Sequence, residues 1–270
     1  MNQQTDSATQ DAPRRRVLVT GAAGTIGRAV RRHLIEDYTF RNLDLVPTEG
    51  DSVVADVSDL DAIQPAFEGI DAVVHLAATI SVHSPWEDVL PANIVGTYNV
   101  FEAAKRAGVK CVVFASSNHT VGGYESDGAP SIYALDDPRV IDINVPLRPD
   151  SYYGVSKVFG EALGRYYSDT FGLRVLCLRI GTVRPDDDPL APEIATSSSW
   201  LPLTPEQGYE RLRATWLSQR DCAHLIGQCI EAEHVPYGIY YGISNNLRRM
   251  WEIESAKSDL GYDPQDQAPK

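Results

Sequence analysis

Residues 17–28 read Val17-Leu18-Val19-Thr20-Gly21-Ala22-Ala23-Gly24-Thr25-Ile26-Gly27-Arg28, and this stretch decides the fold. Val17–Thr20 is rich in β-branched residues and forms a strand. Three glycines at three-residue spacing follow, and a helical pattern runs from Arg28 to Glu36. Gly21 permits the tight turn out of the strand. Gly24 lets the backbone approach a pyrophosphate. Gly27 permits close packing of helix on strand, and the helix N-terminus attracts phosphates. A glycine-rich turn alone is a weak signal. It gains weight from Asp44, an acid at the end of the next apolar run, Phe40–Leu45.

Outward from this unit, strands and helices alternate. Val53–Ala55, Ala72–Leu76, Lys110–Ser116, Val175–Ile180 and Tyr237–Ile243 read as strands. Ala62–Phe67, Trp86–Gly108, Tyr153–Phe171, Asp221–Glu233 and Ile253–Leu260 read as helices. Such alternation predicts an α/β fold, a Rossmann-type doubly wound parallel sheet with right-handed crossovers. Residues 15–181 are expected to form the nucleotide-binding domain. Residues 182–270 form a small substrate-binding region integrated with it, and 1–14 a disordered tail without an apolar signal core. From Arg184 to Gly208 the chain is rich in Pro, Asp, Ser and Thr, which predicts a long excursion over the ligand crevice.

A carboxylate at Asp44 accepts hydrogen bonds from an adenosine ribose and repels a 2′-phosphate, favouring NAD. NADP stays open through a distant basic residue such as Arg41. Thr25 and Ile26 complete the loop, Asp56 and Val57 are placed to meet the adenine, and Leu76, Ala77 and Ala78 leave room beside the fourth strand. Ile180 ends a later strand at the same crevice.

Tyr153-Gly154-Val155-Ser156-Lys157 puts a phenol and an ammonium four residues apart on one helical face. A free Tyr titrates near pH 10 and is a poor base, and a neighbouring cation is expected to lower that value. Ser117, at the end of the strand before it, can hold a substrate oxygen, with Ser116 as the alternative. Asn93 is expected to hold a water behind Lys157.

Together these features resemble the extended short-chain dehydrogenases, which include nucleotide-sugar epimerases and dehydratases. Thr20-Gly21-x-x-Gly24-x-x-Gly27, Asp56-Val57, His75-Leu76-Ala77-Ala78, Ser117 and Tyr153-x-x-x-Lys157 carry the likeness over residues 17–181. A narrower resemblance is to uronate dehydrogenases, through Ile80-Ser81-Val82, Phe114 to Gly122, Phe159-Gly160-Glu161, Arg179-Ile180-Gly181 and Arg211 before Thr215-Trp216. It implies oxidation of C1 of an aldose or uronate to the lactone with NAD, a hexuronate first. Ser81, Ser117, Asn118 and His119 would contact the sugar, and Arg211 its carboxylate. Thr182 stands where a Ser is usual. Trp216 to Cys222, Tyr241 to Ser244 and Leu260 to Asp266 are also similar to salt-adapted relatives acting on glucose 6-phosphate or arabinose. The extended dehydrogenases commonly pair through the Tyr-bearing helix, which implies a homo-oligomer, with Val158, Phe159, Leu163 and Tyr166 as its apolar face.

Composition narrows the remainder. The net charge is −13, and of 24 basic residues only 5 are Lys, while 23 of 37 acids are Asp. An acidic, Lys-poor surface stays hydrated when salt screens its charges, which predicts salt adaptation. It also argues against nucleic acid and anionic membranes as partners. No apolar run reaches 18 residues, so no transmembrane helix is expected. Cys111, Cys177, Cys222 and Cys229 have no metal-ligand or CxxC spacing. Buried thiols in a reducing cytoplasm are expected, with no metal.

Overall fold

A computed structural model describes residues 14–190 and 201–269. Seven parallel strands form one sheet in the order β3-β2-β1-β4-β5-β6-β7. In chain order they are β1 (Arg16–Thr20), β2 (Thr39–Asp44), β3 (Asp51–Val54), β4 (Ala72–His75), β5 (Cys111–Ser117), β6 (Arg174–Ile180) and β7 (Tyr237–Gly242). The order reverses between β1 and β4, which opens a crevice at the carboxyl ends of the central strands. Registers such as Val19↔Val74 and Ser117↔Ile180 bring those ends level.

Alternation along the strands splits the core into two layers. Val17 and Val19 face α1 (Thr25–His33) and α8 (Gln219–Glu231), in a layer with Leu176, Leu178 and Leu225. Leu18, on the opposite face, joins Val73, Phe101, Phe114 and Val175 beneath α2 (Leu60–Ile63), α4 (Gly96–Ala107) and α6 (Tyr152–Phe171). A third cluster, including Val121, Ile132, Tyr241 and Trp251, packs near α5 (Gly122–Gly128), α7 (Pro205–Thr215) and α9 (Glu254–Leu260). The four cysteines are buried free thiols. Among the described residues no helix is long and apolar enough to cross a membrane.

Three expectations need revision. The helix predicted over Trp86–Gly108 starts with α3 (Trp86–Val89) and reaches α4 only through a π-helical turn, Leu90–Val95, that contains Asn93. The irregular excursion contains a regular element, α7, and residues 191–200 within it lie outside the described residues, as do residues 1–13 of the expected tail. Finally, of the α6 face offered for pairing, Tyr166 is exposed while Val158, Phe159 and Leu163 are half-buried; Tyr152 and Val155 on the same helix are also exposed, Tyr152 against Trp86.

Candidate active site

The nucleotide end of the cleft has a volume of about 590 Å³. It gathers Gly21, Gly24, Thr25, Ile26, Gly27, Asp44, Asp56, Val57, Leu76, Ala77 and Ala78. Gly21 has φ +70°, and a Cβ there would lie 2.8 Å from the Ala77 nitrogen. A Cβ at Gly27 would meet the Gly21 carbonyl at 2.6 Å. Only glycine fits either place. Helix α1 starts with no side-chain cap and no acid in its first turn, so its orphan amides are available to an anion. The Ala23 amide donates to Asp44 Oδ2 at 2.8 Å and steadies that carboxylate at the ribose end. Arg41 donates to Asp51 and to the carbonyls of Ala66 and Glu68, so the distant arm considered for a 2′-phosphate is already committed. This cradle fits a dinucleotide.

His75 pins the adjoining wall. Its Nδ1 lies 2.8 Å from Thr20 Oγ1, which also accepts from the Leu76 and Ala77 amides. Its Nε2 lies 3.3 Å from Thr97 Oγ1. Burial, then the nearby Lys157, pushes the imidazole down to about 3, so it is neutral.

A second cavity of about 620 Å³ continues from the first and shares Ile26 and Leu76 with it. Its walls include Ser81, Ser117, Asn118, His119, Tyr153, Lys157, Ile180, Thr182 and Arg211. Ser151 caps α6 by accepting from the Gly154 amide, which starts the helix at Tyr152 and puts Tyr153 in its first turn. Burial raises the Tyr153 phenol, and a hydrogen bond with Ser117 works the other way. Burial pushes the Lys157 ammonium down to about 7. Its Nζ sits 5.5 Å from the Tyr153 ring centre and 5.0 Å from that of Phe114. The cation expected to lower the phenol therefore does not dominate here, because both groups lose water in the same cavity.

Strand alternation separates the two serines. Ser116 donates to Glu161 Oε1 at 2.6 Å, inside a buried pair in which Arg179 donates to both Glu161 oxygens. Ser117 instead lines the cavity with Tyr153, and its Oγ donates to Asn118 Oδ1 at 3.3 Å and accepts from the His119 amide. His119 Nδ1 lies 2.7 Å from Asp150 Oδ2; a carboxylate only accepts, so Nδ1 carries the hydrogen. Thr182 Oγ1 pairs with Thr215 Oγ1 at 2.9 Å.

Two of the expected site residues have protein partners that the sequence did not show. Asn93 lines neither cavity. Its Oδ1 accepts from the Thr79 amide, and its Nδ2 donates to the Thr79 carbonyl and to Ser156 Oγ. With both amide hydrogens engaged, the side chain ties the Thr79 turn to the helix that carries Lys157. Arg211, read as a cation awaiting an acidic sugar, already has a carboxylate. Its Nε donates to Glu125 Oε1 at 2.7 Å and its Nη2 to Oε2 at 3.3 Å. Glu125 and Asp150 were not singled out from sequence. Each lies in a glycine- or proline-containing segment without periodic pattern, and only tertiary contact reveals its partner. Among the described residues no group of three or more His, Cys, Asp or Glu is placed to hold a metal ion.

Comparison with known proteins gives this arrangement a lineage. Residues 17–184 match the NAD dependent epimerase/dehydratase family. The NAD-dependent glucose-6-phosphate dehydrogenase of Haloferax volcanii is 41% identical over 261 residues, 93% of each chain. The L-arabinose 1-dehydrogenase (NAD(P)(+)) of the same organism is 42% identical over 257 residues, 93% of this chain and 96% of that one. A mutant uronate dehydrogenase from Agrobacterium tumefaciens, solved complexed with NAD, is similar with a TM-score of 0.75 and 34% identity, covering 94% of this chain and 86% of that one. The chain belongs to the NAD-dependent epimerase/dehydratase family and is an NAD-dependent oxidoreductase acting on a sugar.

Proposed function

We propose that the chain oxidises C1 of a free sugar to the corresponding lactone. The observation behind this reading is that Ser117, Tyr153 and Lys157 line one cavity that adjoins the nucleotide crevice through Ile26 and Leu76. Ser117 holds the anomeric oxygen. Tyr153, as phenolate, removes the proton from that hydroxyl, and Lys157 stabilises the phenolate while it forms. NAD, when bound, supplies the acceptor for the hydride lost from C1. As O–H and C1–H break, the C1=O bond of the lactone forms. Asn118 and His119 hold ring hydroxyls, with Asp150 fixing the imidazole, and Ser81 and Thr182 close the sides of the cavity. Asp44 selects NAD.

Glucuronate, galacturonate, glucose 6-phosphate and arabinose all present a suitable C1. Mixing the protein with NAD and each of them should yield NADH and, by NMR, an equal amount of lactone from at least one. No NADH from any, or NADH without lactone, overturns the reading. A nucleotide-sugar epimerase would leave no net NADH.

A further inference from the structure

Glu125 is 1% exposed, on α5, and is bonded to Arg211 of the second cavity's wall. Its Oε1 accepts from Arg211 Nε and from the Tyr133 hydroxyl at 2.8 Å, and its Oε2 accepts from Arg211 Nη2. Arg211 belongs to the same cavity wall as Ser81, Asn118 and His119. We propose that Glu125 sets the substrate class by neutralising Arg211. This end of the cavity then receives the hydroxyl of a neutral aldose and discriminates against a sugar carrying a carboxylate or phosphate there. The inference rests on the C1-oxidation reading.

The argument is electrostatic. A sugar acid brought to Arg211 also enters the field of Glu125. Attraction and repulsion of similar size, at similar distance, leave little net gain. The desolvation penalty of the anion persists. A hydroxyl loses much less on leaving water and still finds a hydrogen bond. The Nε–Nη2 edge of the guanidinium, one of the edges able to grip a carboxylate in two bonds, already holds Glu125. Burial opposes the Arg211 charge, and Glu125 more than offsets it, so the guanidinium keeps its proton. The net charge of −13 adds a long-range barrier to anions at low salt.

Substrate pairs that differ only at C6 test this: glucose against glucuronate and galactose against galacturonate, with glucose 6-phosphate as the phosphate arm. Initial NADH rates would be measured in dilute buffer and in multimolar KCl. Wild type should favour each neutral sugar by about tenfold or more in kcat/KM. Glu125→Gln keeps the shape but removes the negative charge held against Arg211. It should lower KM for both uronates by about tenfold while KM for their neutral partners does not fall. General structural damage would raise both. A wild type that prefers uronates or glucose 6-phosphate overturns the inference and leaves C1 oxidation standing. An unchanged uronate-to-aldose ratio in Glu125→Gln also overturns it. If no sugar is oxidised, the inference falls together with the C1 reading. Should Glu125→Gln fail to fold, the wild-type ratios alone decide.

Discussion

The two ends of the cleft are built by different means. At the nucleotide end the contacting atoms are main-chain amides and small side chains, placed by Gly21, Gly24 and Gly27 within one strand–turn–helix. At the sugar end they are tips of long side chains, each held by another side chain distant in sequence. Asp150 holds His119, Glu125 holds Arg211, and Glu161, itself paired with the buried Arg179, holds Ser116. A backbone cradle changes little when single side chains change. A wall of paired charges changes character with one substitution, so substrate choice can drift across relatives while the cofactor stays.

Four substitutions test that contrast, beginning where the two ends meet. Tyr153→Phe removes only the phenolic hydroxyl. Turnover should fall by about 10²–10⁴-fold while NAD still binds. A variant keeping over half of wild-type kcat would deny Tyr153 its role, and one that no longer binds NAD would blur the distinction between the ends.

Arg179→Met strands the Glu161 carboxylate, in a pair whose side chains are 2% and 4% exposed. Loss of one partner from such a pair destabilises by about 3–5 kcal/mol. Urea unfolding should show this, with NAD affinity per folded molecule little changed. A loss below about 1 kcal/mol would make the sugar end less dependent on its ion pairs than argued.

Lys157→Met carries a pH signature. The buried ammonium titrates at about 7, well below an ordinary lysine. The unfolded chain therefore holds that proton over a range where the native protein has released it. The penalty for burying the charge is full below about pH 7 and fades as pH rises toward the ordinary lysine value. Lys157→Met should thus stabilise the cofactor-free protein by at least about 1.4 kcal/mol at neutral pH, the worth of one pKa unit. The gain should shrink in alkali, and activity should be lost. A gain that grows with pH would refute this account.

The smallest effect belongs to the backbone-built end. Asp44→Ala removes one carboxylate from a cradle that otherwise stays in place. The preference for NAD over NADP, measured as a ratio of kcat/KM values, should fall by about tenfold. An unchanged ratio would move cofactor choice away from Asp44.

The same contrast governs what could be read in advance. Short-range chemistry was legible: the glycine turn, Asp44, and the Tyr153 and Lys157 spacing each lie within a few residues of the elements that define them. Strand positions followed from apolar runs. Helix α7 was overlooked amid Pro, Ser and Thr, although Thr204-Pro205-Glu206-Gln207 is a start signal, and the reciprocal Thr204–Gln207 bonds form. Asn93 was placed correctly on its helix, but a π turn altered what its amide meets. The Glu125–Arg211 pair spans 86 residues, and no local pattern joins its partners. Whether Arg211 meets solvent, an acid or a sugar is decided only after folding.

Phe114 bears on how such an enzyme can change over generations. Its ring lies beneath the Lys157 ammonium, beside His75, and against Gly160, where any added Cβ would strike it. One aromatic ring is therefore both the packing surface for α6 and the π face that the cation sees. A substitution at 160 displaces the ring and so retunes the lysine, and a substitution at 114 retunes the lysine and so unseats the helix. Selection acting on catalytic electrostatics and selection acting on core fit thus pull on a single variable. Routes to altered activity through this corner must be taken in coordinated pairs, whereas the rim at Glu125 and Arg211 can be explored by changes in charge at nearly constant shape.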